Sequence, residues 1–148
     1  MSAIDVELLS DTNLHPLTKL TIEFWQDCNY EEELLNWRQI INVADNYCAL
    51  AKLDERYVGF IHMTIRNDYV EGSNTDKTAY LEAIYIKPAY RYKNIATLLV
   101  NKSELWAKSK GFSQVASDTE FENLCSQQFH KKLGFKEVSR IVCYLKNV

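Results

Sequence analysis

Apolar and polar residues recur along this chain with two periods, close to two and close to three and a half, and the switches between them mark out its elements. Residues 4–9 alternate and predict a first strand. Asp11, Thr12 and Asn13 then offer helix caps, Pro16 is tolerated in a first turn, and Leu17, Leu20, Ile22, Phe24 and Trp25 follow as an amphipathic helix. A second helix is predicted over 31–43 on Leu34, Leu35, Trp37, Ile40 and Ile41, with Glu31, Glu32 and Glu33 at the end where the helix dipole favours acids. Residues 47–53 and 57–66 read as an antiparallel hairpin about Asp54, Glu55 and Arg56, and 67–77 as a polar loop.

The run 80–86 is almost wholly apolar, rich in aromatic and β-branched residues, and predicts a buried strand closed by Lys87 and Pro88. A short basic turn leads into Ile95, Leu98, Leu99, Leu105 and Trp106 at helical spacing, ending near 108–111 with basic residues and Gly111. Residues 115–117 read as a short strand and 123–133 as a further helix. A closing strand is predicted over 135–145, with a break near Ser139. This order predicts an α/β chain with a central mixed sheet and helices on both faces, organised as one domain over 1–148.

Composition narrows the class. An apolar fraction of 47% with 25% charged residues is that of a globular protein, and no apolar run approaches membrane-spanning length. The first five residues lack a basic-then-apolar targeting pattern, so a cytoplasmic protein is expected. Cys28, Cys48, Cys125 and Cys143 are scattered, without the spacing of a zinc or redox motif, so no metal is expected. A net charge of −3 argues against nucleic acid as a partner and is compatible with a cationic substrate.

The stretch from the buried strand into its helix carries the chemistry. The first amides of a helix lack intrahelical partners and sit at the positive end of its dipole, so a loop there suits a pyrophosphate. This loop, Arg91-Tyr92-Lys93-Asn94-Ile95-Ala96, resembles the Arg/Gln-x-x-Gly-x-Gly/Ala signature of the GNAT N-acetyltransferases. Asn94 stands at the first glycine, and Asn is among the few residues that enter the left-handed region readily. Leu133-Gly134-Phe135 resembles the family's junction between last helix and next strand. The resemblance implies the GNAT acyl-CoA N-acyltransferase fold, with acetyl-CoA as co-substrate. Backbone groups of Ile84, Tyr85 and Ile86 would hold the pantetheine arm and thioester, Arg91 and the amides of Tyr92, Lys93, Asn94, Ile95, Ala96 and Thr97 the pyrophosphate, and Asn123 the lower coenzyme.

Glu82 lies inside the apolar strand, where an ionised carboxylate is costly unless compensated. It either has a partner such as Arg66 or faces a cleft, where burial would raise its pKa and fit it to take an ammonium proton. Asp118 ends the short strand beside it, where sheets of this kind place ligands, or caps the turn that follows. His130 is either a proton donor to the departing thiolate or a hydrogen-bonded packing residue. No cysteine or serine is expected where a base would activate it, so direct attack by the amine is expected.

Tyr69-Val70-Glu71-Gly72, Leu81-Glu82-Ala83-Ile84-Tyr85, Pro88-Ala89-Tyr90-Arg91, Glu104-Leu105-Trp106-Ala107-Lys108, Ala116-Ser117-Asp118, Asn123 and His130 together resemble the aminoglycoside 6'-N-acetyltransferases. That resemblance implies that Glu82 and Asp118 contact the drug's ammonium groups, that Trp25 and Tyr69 line its pocket, and that the protein is a homodimer. Relatives also use a last-strand glutamate, at a position aligned with Ser139, and Glu137 lies two residues earlier on the same face. A polyamine or peptide acetyltransferase and a non-catalytic acyl-CoA-binding module remain alternatives.

Overall fold

The computed structural model describes residues 3–148; Met1 and Ser2, read above only for a targeting pattern, lie outside them. The chain runs β1 Asp5–Leu8, α1 Leu14–Phe24, α2 Tyr30–Ile40, β2 Asn46–Leu53, β3 Arg56–Arg66, β4 Thr78–Ile86, a 3-10 turn Pro88–Tyr90, α3 Ile95–Ser109, β5 Val115–Ala116 and α4 Leu124–Lys132. The five strands form one sheet in sequence order, antiparallel up to β4 and parallel between β4 and β5.

Period-two alternation divides the core between the two faces of this sheet. Ala49, Ala51, Ile61, Met63 and Ala79 face one side, where Ile95, Leu99, Val100 and Ala107 of α3 cover them. Cys48, Leu50, Phe60 and Ala83 face the other, under Leu17 and Leu20 of α1 and Leu34 and Trp37 of α2. The hairpin turn is two residues long, Asp54 and Glu55, both with left-handed φ; this backbone matches strand twist, and Arg56 already belongs to β3. Asn13 is buried and gives no side-chain cap to α1. Its amide instead donates to the Leu8 carbonyl, and its side-chain oxygen accepts from the Ser10 amide, tying β1 to the helix.

Two features of the sheet position the site. Pairing of β4 with β5 is confined to Ala79 opposite Val115 and Tyr80 opposite Ala116, although β4 runs on to Ile86. Beyond Tyr80 one edge of β4 is open. On its other side the register with β3 shifts between His62 opposite Ala83 and Met63 opposite Leu81, leaving Glu82 without an opposing residue. Such a bulge re-aims a side chain that would otherwise follow the strand's alternation. At the far end β3 and β4 approach closely: a Cβ on Gly59 would stand 2.6 Å from the Tyr85 carbonyl oxygen.

The closing strand expected over 135–145 is not formed. Residues 136–148 adopt neither helix nor strand, and Ile141, Tyr144 and Leu145 are 79%, 91% and 96% exposed. A strand requires a neighbour's backbone donors and acceptors, and none within the described chain meets this segment.

Candidate active site

Asn94 adopts the left-handed conformation that the loop requires, at φ 62° and ψ 16°, and α3 begins at the next residue. Its carbonyl accepts the first helical bond, from Leu98 at 3.1 Å, and its side chain makes no cap. The amides of Tyr92, Lys93 and Asn94 find no acceptor among the described residues. With the first amides of α3 they form a cluster of donors, and Lys93 adds a cation. Arg91 holds the loop to the strand through a bond from Nε to the Ile86 carbonyl, 2.9 Å. A pyrophosphate fits this cradle, and the open edge of β4 at Ile84, Tyr85 and Ile86 fits an extended amide-bearing arm.

The two candidate carboxylates are joined by a chain of contacts. Arg66 grips Glu82 with both ends of its fork, Nε to Oε1 and Nη2 to Oε2 at 2.8 Å each, while the Thr64 hydroxyl donates to Oε1 at 2.7 Å. The guanidinium lies 3.5 Å over the Tyr80 ring, and the Tyr80 hydroxyl donates to Asp118 Oδ2 at 2.5 Å. Asp118 is exposed and accepts from the strand beside it rather than capping the turn after it. Burial pushes the Tyr80 phenol well up, and the hydrogen bond to Asp118 adds to that, so it stays a donor.

Glu82 corrects one expectation. Burial does push its carboxyl up, but the hydrogen bonds from Arg66 and Thr64 outweigh it and hold the group below its usual range. Glu82 is therefore held ionised by Arg66 and Thr64, and is a poor proton acceptor.

A second correction concerns the expectation that no serine faces a base. Ser117 Oγ lies 2.8 Å from His130 Nε2, and His130 Nδ1 lies 2.7 Å from the Ser126 carbonyl. The carbonyl can only accept, so Nδ1 carries a hydrogen, and in the neutral ring Nε2 is the acceptor for the Ser117 hydroxyl. Phe135 packs edge-on to the imidazole at 5.2 Å. Ser117 also lies 3.5 Å from the Leu81 carbonyl, where β4 and β5 part. Nothing in the sequence pairs residues 117 and 130; only the packing of α4 against β5 does.

Other candidates are placed apart. Trp25, 39% exposed, stacks on Phe24, which stacks on Tyr85, forming an aromatic wall over the end of β4. Glu23 accepts from the Tyr85 hydroxyl at 3.2 Å and pairs with Lys87 at 3.1 Å, holding α1 against that end. Tyr69 is exposed on its loop with its hydroxyl on Glu71. Asn123 spends its side-chain oxygen capping α4 at the Ser126 amide, 3.0 Å. Glu137 pairs with Arg140 at 2.6 Å, and that hydrogen bond lowers its pKa. A groove of about 930 Å³ runs between β5 and the C-terminal arm and reaches Tyr80, Asp118, His130 and Glu137.

Comparison with known proteins agrees with this geometry. Residues 9–135 match the model of the acetyltransferase (GNAT) family. An aminoglycoside N(6')-acetyltransferase type 1 of Acinetobacter baumannii is 35% identical over 141 residues, covering 95% of this chain and 96% of that one. That of Salmonella enteritidis is 30% identical, covering 97% and 99%. Among solved structures, AAC(6')-Iy in complex with the bisubstrate analogue CoA-S-monomethyl-acetylneamine superposes with a TM-score of 0.93 at 30% identity, covering 99% of this chain and all of that one. AAC(6')-Ih from Acinetobacter baumannii superposes with a TM-score of 0.92 at 33% identity, covering 99% of each.

Proposed function

Because this chain belongs to the acetyltransferase (GNAT) family, we propose that it transfers the acetyl group of acetyl-CoA to the 6'-amine of aminoglycosides and so inactivates them. The observation that carries the reading is the pair of carboxylates, Glu82 and Asp118, tied together through Arg66 and Tyr80 beside the open edge of β4. Aminoglycosides carry several ammonium groups, and two fixed anions can hold two of them while the 6'-amine meets the thioester.

Acetyl-CoA supplies the activated acyl group; the chain supplies position and charge. The amides of Tyr92 to Thr97 and Lys93 take the pyrophosphate, and β4 at Ile84 to Ile86 offers backbone donors that need no reorganisation as charge develops. Glu82 and Asp118 orient the amine, and Trp25 and Tyr69 supply aromatic surface at either end. Because Glu82 is held ionised by Arg66, the attacking amine loses its proton to water near the carboxylates rather than to Glu82 itself. The Ser117 hydroxyl, held by His130, is placed to hydrogen-bond the departing thiolate, which takes its proton from the solvent that accepted the amine's.

One domain over 1–148 carries these parts, working as a cytoplasmic homodimer without metal, nucleic acid or membrane as partner. Support comes from the cytoplasmic supply of acetyl-CoA, the four unpaired cysteines, the net charge of −3 and the exposed apolar arm. Among the described residues no helix is long and apolar enough to cross a membrane.

The test is steady-state release of CoA thiol from acetyl-CoA with aminoglycosides that have or lack a free 6'-amine, with polyamines and with short peptides. Turnover only with free 6'-amines is expected. Turnover with polyamines or peptides alone would move the enzyme to another amine. The Glu82–Arg66 pair favours one other reading, an acyl-CoA-binding module, and tight acetyl-CoA binding with no turnover of any amine would establish it.

Two substitutions probe the coenzyme side. Asn94→Gly, which removes the left-handed cost, is expected to bind acetyl-CoA at least as tightly as the parent, and Asn94→Val several-fold more weakly by calorimetry. Weaker binding by the glycine variant would mean that the Asn94 side chain itself holds the coenzyme. Ser117→Ala is expected to lower kcat by roughly tenfold or more with acetyl-CoA affinity unchanged, and to shift the pH dependence of kcat. An unaltered kcat would make the Ser117–His130 bond purely structural.

A further inference from the structure

Glu82 has a titratable neighbour on the next strand. His62 stands two residues before Thr64 on β3, and period two puts both on one face of the sheet. Thr64 is the residue whose hydroxyl donates to Glu82 Oε1 at 2.7 Å. The register shift falls at His62 itself: it faces Ala83, Met63 faces Leu81, and Glu82 is the residue left over between them. Imidazole and carboxylate are thus set side by side on adjoining strands.

One nitrogen of the ring is spent and the other is free. Nε2 lies 2.8 Å from Asn46 Oδ1, and an amide oxygen only accepts, so in the neutral ring Nε2 carries the hydrogen and Nδ1 keeps its lone pair. Among the described residues Nδ1 has no hydrogen-bond partner, and no partnerless side-chain nitrogen or oxygen is buried there, so Nδ1 opens to solvent. Trp37 stands edge-on to the ring at 5.1 Å and fixes its plane.

Burial pushes the imidazole below its ordinary value, and the charge of Glu82 opposes that without overcoming it. The other groups around the ring do not compete for a proton. Cys48 stands opposite on β2 with its thiol pushed well up by burial, Arg66 spends its charge on Glu82, and α2 presents the indole of Trp37. At neutral pH His62 is therefore a neutral base with an open lone pair, beside an anion that takes no proton itself.

We propose that His62 accepts, at Nδ1 and through water, the proton released by the ammonium held at Glu82. The inference rests on the amine transfer proposed above and names where its proton goes. An ammonium has no electron pair to attack with, so one N–H bond must break before its nitrogen can bond to the thioester carbonyl. That proton passes to water, a proton of the water passes to Nδ1, and the imidazolium so formed is favoured by the adjacent charge of Glu82. The ring then returns its proton to solvent, from which the departing thiolate takes one, so the proton count closes. Glu82 binds the cation and His62 relieves it of its proton.

The test uses the parent, His62→Gln and Glu82→Gln. Glutamine at 62 can still donate to Asn46 but has no nitrogen that titrates. With acetyl-CoA and amine both saturating, kcat of the parent is expected to fall along a one-proton limb below the ordinary imidazole value of 6.5. His62→Gln is expected to lose that limb and to lower kcat at neutral pH roughly tenfold or more, with KM for the amine and the acetyl-CoA dissociation constant unchanged. In Glu82→Gln the limb is expected to remain, moved to lower pH because no carboxylate then supports the imidazolium. Nitrogen NMR is expected to place the ring hydrogen on Nε2 and to show His62 titrating below 6.5. A ring hydrogen on Nδ1, a kcat for His62→Gln equal to the parent's, or a limb that His62→Gln keeps or Glu82→Gln abolishes would overturn the assignment. Should glutamine at 62 unfold the chain, the tautomer and the limb in Glu82→Gln still decide. The NMR readings need no amine, so a wrong amine is told apart from a wrong base.

Discussion

Glu82→Gln is expected to lower kcat/KM for the amine by at least tenfold, about 1.4 kcal/mol or more of transition-state stabilisation, with the dissociation constant of acetyl-CoA unchanged. Glutamine keeps the shape and removes the charge. It cannot hold an ammonium by Coulomb attraction, and it leaves the Arg66 guanidinium, now without its carboxylate, as a positive charge beside the amine site. Both changes oppose a cationic substrate, whereas the coenzyme loop at Asn94 belongs to another part of the site. A rate equal to the parent's would remove Glu82 from the mechanism.

The ionisation of Glu82 sharpens the same prediction. Its folded pKa lies below the ordinary 4.5, so the stability it contributes is present above that value and is lost as pH falls through the folded pKa. The parent is therefore expected to show no acid limb near neutral pH arising from Glu82. A limb between about pH 6 and 7 that disappears in Glu82→Gln would restore it as a proton acceptor.

Trp37→Ala is expected to cost about 3–5 kcal/mol of stability, measured as a lowered urea midpoint at unchanged slope. Trp37 is buried between α2 and the sheet, edge-on to Phe60 at 5.9 Å and to His62 at 5.1 Å. Its indole N–H donates to the Thr21 hydroxyl of α1 at 2.8 Å, so one side chain joins both helices to β3. Alanine would leave a cavity beneath the bulge that presents Glu82. It would also free His62, whose imidazole burial holds neutral and whose Nε2 lies 2.8 Å from the Asn46 side-chain oxygen. A loss below about 1 kcal/mol would mean that this face of the sheet collapses around the gap.

Much of this was legible before the fold. Reading along the chain places all five strands and the four helices, because an amphipathic face can only be buried one way, and adds a sixth strand over 135–145 that is not formed. The coenzyme loop was legible for a local reason: a left-handed residue before a helix exposes amides whatever surrounds it, and Asn94 is such a residue. Glu82 could be singled out because a carboxylate in an apolar strand demands an explanation, and Arg66 was named as one of two answers. Period alone could not choose between them. The bulge that turns Glu82 toward Arg66 arises from a slip in pairing between two strands that are eighteen or so residues apart.

What the sequence determined by itself is everything set by neighbours along the chain: the periods, the place of the hairpin turn and the loop before α3. What only the tertiary structure decided is everything that depends on a partner: the grip of Arg66 on Glu82, the Tyr80 bond to Asp118, the pairing of Ser117 with His130, and the failure of the last segment to join its own sheet. The physical reason is the same in each case. Side-chain periodicity says which face a residue turns and what chemistry it carries, but a hydrogen bond, an ion pair or a strand also needs the other half in place, and only the packed chain brings that half within about 3 Å.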